Sequence, residues 1–136
     1  MQIHESAEDY LETILLLHLR NGQVRSIDIV NEMGYSKPSI SVAMKRLREN
    51  GYIDMDEEGF ITLNPSGKAI AERIYARHRW LTKFLVTLGV SEKTAAIDAC
   101  KMEHDLSDET FECIKAHALA SNREVAKAAE TEESGT

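Results

Sequence analysis

Apolar residues recur at helical spacing along most of the chain. Tyr10, Leu11, Ile14, Leu15, Leu17 and Leu19 follow Ser6-Ala7-Glu8-Asp9, a serine cap with an acid three positions on, and predict a helix over about 7–20 that Asn21-Gly22 ends. A short second helix, Ile27 to Met33, is expected behind Ser26 as cap, with Gly34 closing it. A third starts at Ser36, tolerates Pro38 in its first turn, buries Ile40, Met44 and Leu47, and stops at Asn50-Gly51. The period then changes. Tyr52–Met55 and Phe60–Leu63 are strand-like runs joined by Asp56-Glu57-Glu58-Gly59, a hairpin signal. Helix, glycine-containing turn, helix and hairpin follow one another in winged helix-turn-helix order.

Helical spacing returns after Pro65-Ser66-Gly67. A long helix over about 66–88 carries the stripe Ile70, Ile74, His78, Leu81, Leu85 and Leu88. Ser91 caps a helix over about 92–104, and Ser107 caps another over about 108–119 with Phe111, Ile114 (or Cys113) and Ala118 inward. Asn122 opens a weak last helix, and residues 131–136 read as a disordered acidic tail. The fold class predicted is mainly α: an N-terminal winged helix-turn-helix over 1–70, then a helical domain over 71–136.

Composition narrows the function. The 136 residues make one ordinary domain or two small ones sharing a core, and 43% hydrophobic with 29% charged residues is a soluble globular balance. No apolar run nears the roughly 20 residues of a membrane span, so no membrane partner is expected. Glu5, Glu8, Asp9 and Glu12 make the start the opposite of a signal peptide, which points to the cytoplasm. Cys100 and Cys113 are too few for a disulfide framework. There is no glycine-rich phosphate loop and no nucleophile elbow, so neither an enzyme nor a small-molecule substrate is expected. The net charge of −7 argues against indiscriminate coating of nucleic acid. Its distribution leaves room for a local basic surface: residues 1–90 hold 11 Lys+Arg against 12 Asp+Glu, whereas residues 91–136 hold 5 against 11.

That basic surface is the third helix, which bears Lys37, Ser39, Ser41, Lys45, Arg46 and Arg48 with Glu49 as its only acid. Small hydroxyls near a helix start can reach a phosphate or a base edge, and the cations suit phosphates. A second chemistry lies in Cys100-Lys101-Met102-Glu103-His104, which places a thiol, a carboxylate and an imidazole at i, i+3 and i+4 on one helical face. Asp9 and Glu12 project together from the first helix, and His78 is the ionisable group in the long helix's apolar stripe. Each has a bland alternative: a solvated Glu103 and His104 beside a buried Cys100, acids complementing a helix dipole, a satisfied core histidine. Taken together, the six fit one shared metal site better.

The chain resembles the diphtheria-toxin-repressor family, and within it the short manganese-transport-regulator branch. The resemblance rests on Ser6-Ala7-Glu8-Asp9-Tyr10-Leu11-Glu12, Ser36-Lys37-Pro38-Ser39-Ile40-Ser41, Leu63-Asn64-Pro65-Ser66-Gly67, Arg77-His78 and Cys100 through Ser107, in the family's order over nearly the whole chain. It implies a homodimeric, metal-activated repressor of metal-homeostasis genes that binds a palindromic DNA operator, with dimerisation assigned to 71–136. It implies metal ligands at Asp9, Glu12, His78, Glu103 and His104, and DNA contacts at Ser36, Lys37, Pro38, Ser39 and Ser41. The chain departs from the pattern at Cys100, where the manganese branch has glutamate and the iron branch cysteine, and at Asp9, where the iron branch has methionine. Thr82 and Ala96 occupy positions where the iron branch's ancillary site has ligands, and the 136 residues stop short of that branch's SH3-like domain. Oxygen donors favour Mn(II), a Cys100 thiolate favours Fe(II), Co(II) or Zn(II), and the expected order is manganese, then iron, with Co(II) or Zn(II) as substitutes in vitro. The acidic wing tip is a further departure, since phosphate contact calls for cations.

The rival expectations are an iron-responsive repressor, a winged-helix regulator indifferent to metal, a metallohydrolase with Glu12 as general base, and a zinc-stabilised structural module.

Overall fold

In a computed structural model of the chain, residues 5–120 are described. The last weak helix and acidic tail expected from the sequence lie outside them. The chain divides at Arg79/Trp80 into two compact units.

The first unit opens with α1 (Glu5–Asn21), which already includes Glu5, so Ser6 lies inside the helix and does not cap it. Leu11, Ile14, Leu15 and Leu17 are buried, whereas Leu19 in the last turn is 64% exposed, because the stripe outruns the core it packs on. Helix α2 (Ser26–Met33) has Arg25 and not Ser26 at its cap position: Ser26 is already helical, and the Asp28 carboxylate reaches back to accept the Arg25 backbone N–H at 2.8 Å. Gly34 ends the helix at φ 73° and donates its N–H to the Val30 carbonyl, a left-handed cap that a Cβ would strain. Helix α3 (Lys37–Glu49) has the expected cap, with Ser36 Oγ accepting the Ser39 N–H at 3.3 Å.

Strands β1 (Ile53–Met55) and β2 (Ile61–Leu63) pair antiparallel with Ile53 opposite Leu63 and Met55 opposite Ile61. The Ile61 N–H also donates to the Val24 carbonyl at 2.7 Å, which ties the hairpin to the segment between α1 and α2. Leu11, Ile14, Ile29, Ile40, Met44, Ile53, Ile61 and Ala71 share one core, so all elements of this unit bury their apolar faces against one another. At the wing tip Asp56 is structural: its Oδ1 accepts the Glu58 and Phe60 N–H groups, both at 2.9 Å, and fixes the turn. Asp56→Ala is expected to cost about 1–2 kcal/mol through these two bonds. Asp56→Asn, which keeps an acceptor oxygen, should recover most of the loss in a thermal melt.

Helix α4 (Pro65–Thr87) is clamped at its start to the end of α3. Asn64 Nδ2 and Ser66 Oγ both donate to the Gly51 carbonyl at 3.0 Å, and the Asn64 N–H donates to the Tyr52 carbonyl at 2.9 Å. The Leu63-to-Gly67 motif is therefore a joint between the wing and the long helix.

The second unit holds the end of α4, α5 (Glu92–Asp105) and α6, helical from 108 to 120. Ser91 and Ser107 cap α5 and α6 as expected, accepting the Thr94 and Thr110 N–H groups at 3.4 and 3.2 Å. Leu81, Ala99 and Phe111 form the core, with Trp80 stacked on Phe84 and edge-on to Phe111. On α6 it is Ile114 that turns inward, while Cys113 is exposed. Leu88, the expected end of the α4 stripe, is 65% exposed, and Val86, Ile97 and Leu119 are exposed too. No described helix is long and apolar enough to cross a membrane.

Candidate metal centre and DNA-reading helix

In the first unit α1 presents Asp9 and Glu12 one turn apart, and α4 presents His78. Asp9 is half-buried, but Glu12 is only 6% exposed. Glu12 Oε1 lies 3.5 Å from His78 Nδ1, while Glu12 Oε2 is buried with no hydrogen-bond partner among the described residues. A helix-dipole complement needs no burial, so that reading does not account for Glu12. A carboxylate oxygen taken out of water without a donor is costly, and a cation is the usual compensation. His78 is not a plain core histidine either, since a carboxylate faces it. Next to Asp9, the Tyr10 phenol is held above its ordinary pKa by burial, then by Tyr35 and Asp9, and stays neutral.

In the second unit α5 brings Cys100, Glu103 and His104 onto one face, with one ligand atom from each within 4.8 Å of the others. The bland arrangement is inverted. Glu103 and the His104 side chain are buried, with Glu103 Oε1 3.5 Å from His104 Nε2, while Cys100 is half-buried. Burying a carboxylate and an imidazole on a single helical turn costs desolvation that a divalent ion offsets. Oxygen, nitrogen and thiolate donors together suit a first-row divalent metal. Each unit therefore offers a partial ligand set, and the residue types in both fit a metal.

Helix α3 places Lys37, Pro38, Ser39, Ser41, Lys45 and Arg46 in solvent. Ser36 Oγ donates to Ser39 Oγ at 2.8 Å as well as capping, so this hydroxyl pair is pre-ordered at the helix start. The Lys45–Glu49 pair is long, at 4.0 Å, and well exposed, so it leaves Lys45 available to a phosphate. Beside this helix runs an open groove of about 700 Å³, lined by Ser6 and Tyr10 of α1 and by Pro38, Val42 and Arg46 of α3. Val42 was not among the residues singled out from the sequence. Its signal was there: an apolar side chain out of phase with Ile40, Met44 and Leu47.

Comparison with known proteins agrees with both halves. Residues 2–59 match the family described as "Iron dependent repressor, N-terminal DNA binding domain", and residues 64–122 match "Iron dependent repressor, metal binding and dimerisation domain". The transcriptional regulator MntR of Salmonella typhimurium is 36% identical over 112 residues, 82% of this chain and 71% of that protein. An HTH-type transcriptional regulator of Methanocaldococcus jannaschii is 35% identical over 113 residues, 82% of this chain and 90% of that protein. Among solved structures, a manganese-dependent transcriptional repressor in complex with manganese superposes with a TM-score of 0.73 at 30% identity, covering 82% of this chain and 51% of that one. The manganese regulator SloR gives 0.71 at 26% identity, covering 87% and 54%, so the chain spans about half the length of these two structures.

Proposed function

Since the chain belongs to the iron-dependent repressor family, metal-dependent DNA-binding transcriptional regulators and not enzymes, we propose that it is a cytoplasmic homodimeric repressor with Mn(II) as corepressor at metal-homeostasis genes. The carrying observation is Glu12, buried on a DNA-binding-unit helix with Oε2 unsatisfied among the described residues and His78 facing it.

Residues 1–70 bind DNA, and residues 71–136 complete the ligand set and dimerise. Asp9, Glu12 and His78 supply one part of that set, and Cys100, Glu103 and His104 the other. Asp9 and Glu12 would hold α1 to a Mn(II) ion, which would supply the positive charge that offsets the buried carboxylates. Helix α1 shares its core with α3 through Leu11, Ile14, Ile40 and Met44, so holding α1 restricts where α3 can sit. In the dimer, two α3 helices set about one DNA turn apart read the halves of a palindromic operator. Ser36, Lys37, Pro38, Ser39 and Ser41 approach the bases and nearby phosphates, and Lys45 and Arg46 contact the backbone. Cys100 favours a second reading, in which Fe(II) is the physiological signal.

The test uses chelator-stripped protein titrated onto family-type palindromic duplexes at fixed salt with Mn(II), anaerobic Fe(II), Co(II) or Zn(II). Tight binding only with metal is expected, with Mn(II) effective at the lowest free concentration. Equal binding with and without metal would leave a plain winged-helix regulator, and unfolding on chelation would mark a structural ion. Asp9→Ala is expected to lower metal-dependent affinity more than about tenfold, within the usual range of allosteric coupling.

A further inference from the structure

The buried residues Ile40, Met44 and Leu47 mark the inner face of α3. At about 100° per residue, Val42 stands about 200° from both Ile40 and Met44, on the opposite side of the helix. It is 52% exposed. Around it on that outer side stand Pro38 and Ser39 one turn before and Lys45 and Arg46 one turn after, all exposed. Valine is a poorer helix former than alanine, and this one keeps about half of its surface in solvent and stands outside the core of its unit, so neither propensity nor core packing accounts for it.

The chemistry of its neighbours identifies what it meets. Lys37, Lys45, Arg46 and Arg48 against the single Glu49 make a surface for phosphodiesters, and residues 2–59 match a DNA-binding domain. A neutral, branched side chain in the middle of such a face complements the one methyl group that a duplex presents in its major groove, the 5-methyl of thymine. We propose that Val42 determines operator specificity by packing on a thymine 5-methyl in each half-site. This rests on the reading of α3 as the helix that enters the major groove.

The experiment begins with a randomised duplex library enriched on the full chain with Mn(II). Each thymine of the winning duplex is then replaced singly by deoxyuridine, which removes only the methyl group. At fixed salt, a single replacement at one position of either half-site is expected to weaken wild-type binding about fourfold, the worth of one buried methyl. The same replacement should change affinity less than about 1.5-fold for Val42→Ser and for Val42→Asn, which put a polar group where the valine methyls stood, the signature of a direct contact in a double-mutant cycle. Two variants at an exposed position guard against loss of folding, which a melt would report. Uracil penalties equal in wild type and variants, or absent in wild type, overturn the assignment of Val42. If Lys45→Ala and Arg46→Ala leave affinity unchanged, the reading of α3 itself fails. If they weaken binding while uracil does nothing, only the Val42 inference falls.

Discussion

Glu12→Gln is expected to move stability and function in opposite directions. In metal-free protein the substitution replaces a buried carboxyl group whose Oε2 has no hydrogen-bond partner among the described residues, while keeping the side chain's volume and a polar atom toward His78. Replacing a buried ionic group by a neutral one of similar shape is often neutral or stabilising by about 1–4 kcal/mol, so the metal-free melting temperature should hold or rise. The same change removes an anionic ligand. The gain in operator affinity on adding Mn(II) should therefore shrink by about 5- to 150-fold, the range of typical allosteric couplings. Melts with and without Mn(II), paired with operator titrations, read both effects. A variant that is less stable without metal yet responds normally to Mn(II) would make Glu12 a structural partner of His78, and would remove the main support for the corepressor reading.

Gly67→Ala sets two opposing effects against each other at the start of α4. Helix propensity alone favours alanine by about 0.8–1.0 kcal/mol. Packing opposes it, because a Cβ at Gly67 would collide with the Tyr52 carbonyl oxygen and stand 3.0 Å from its carbonyl carbon. Those atoms are backbone. They cannot swing aside as a side-chain tip would, and the Tyr52 carbonyl is already engaged by the Asn64 N–H at 2.9 Å. Overpacking typically costs about 1–3 kcal/mol, and an immovable neighbour belongs at the upper end or beyond. A net loss of about 2 kcal/mol is expected, lowering the melting temperature by roughly 4–16 °C. Because the joint fixes the wing and the end of α3 against α4, operator affinity should fall as well. A melting temperature that rises would show that the helix start relaxes freely and that propensity decides.

Local spacing made much of this protein legible in the sequence. The 3.6-residue period placed α1, α3, α4, α5 and α6 to within a few residues, and a change to period two located the hairpin. Ser36, Ser91 and Ser107 were readable as caps because a cap acts on its own first turn. Cys100, Glu103 and His104 were readable as one face for the same reason: i, i+3 and i+4 meet on any helix, whatever surrounds it. What required the tertiary structure was everything decided by a neighbour far along the chain. Spacing could not show that Glu103 would be buried and Cys100 half-buried, nor that Glu12 would face His78, 66 positions away. It gave no warning that Gly67 would meet a backbone carbonyl from the other end of the hairpin. It could not separate Ile114 from Cys113 on α6, or exclude Leu19 and Leu88 from a core whose stripes they extend. Periodicity determines which side chains share a face, because that follows from the helix's own geometry. Whether the face is covered, and by what, depends on elements that meet it only after the chain has folded.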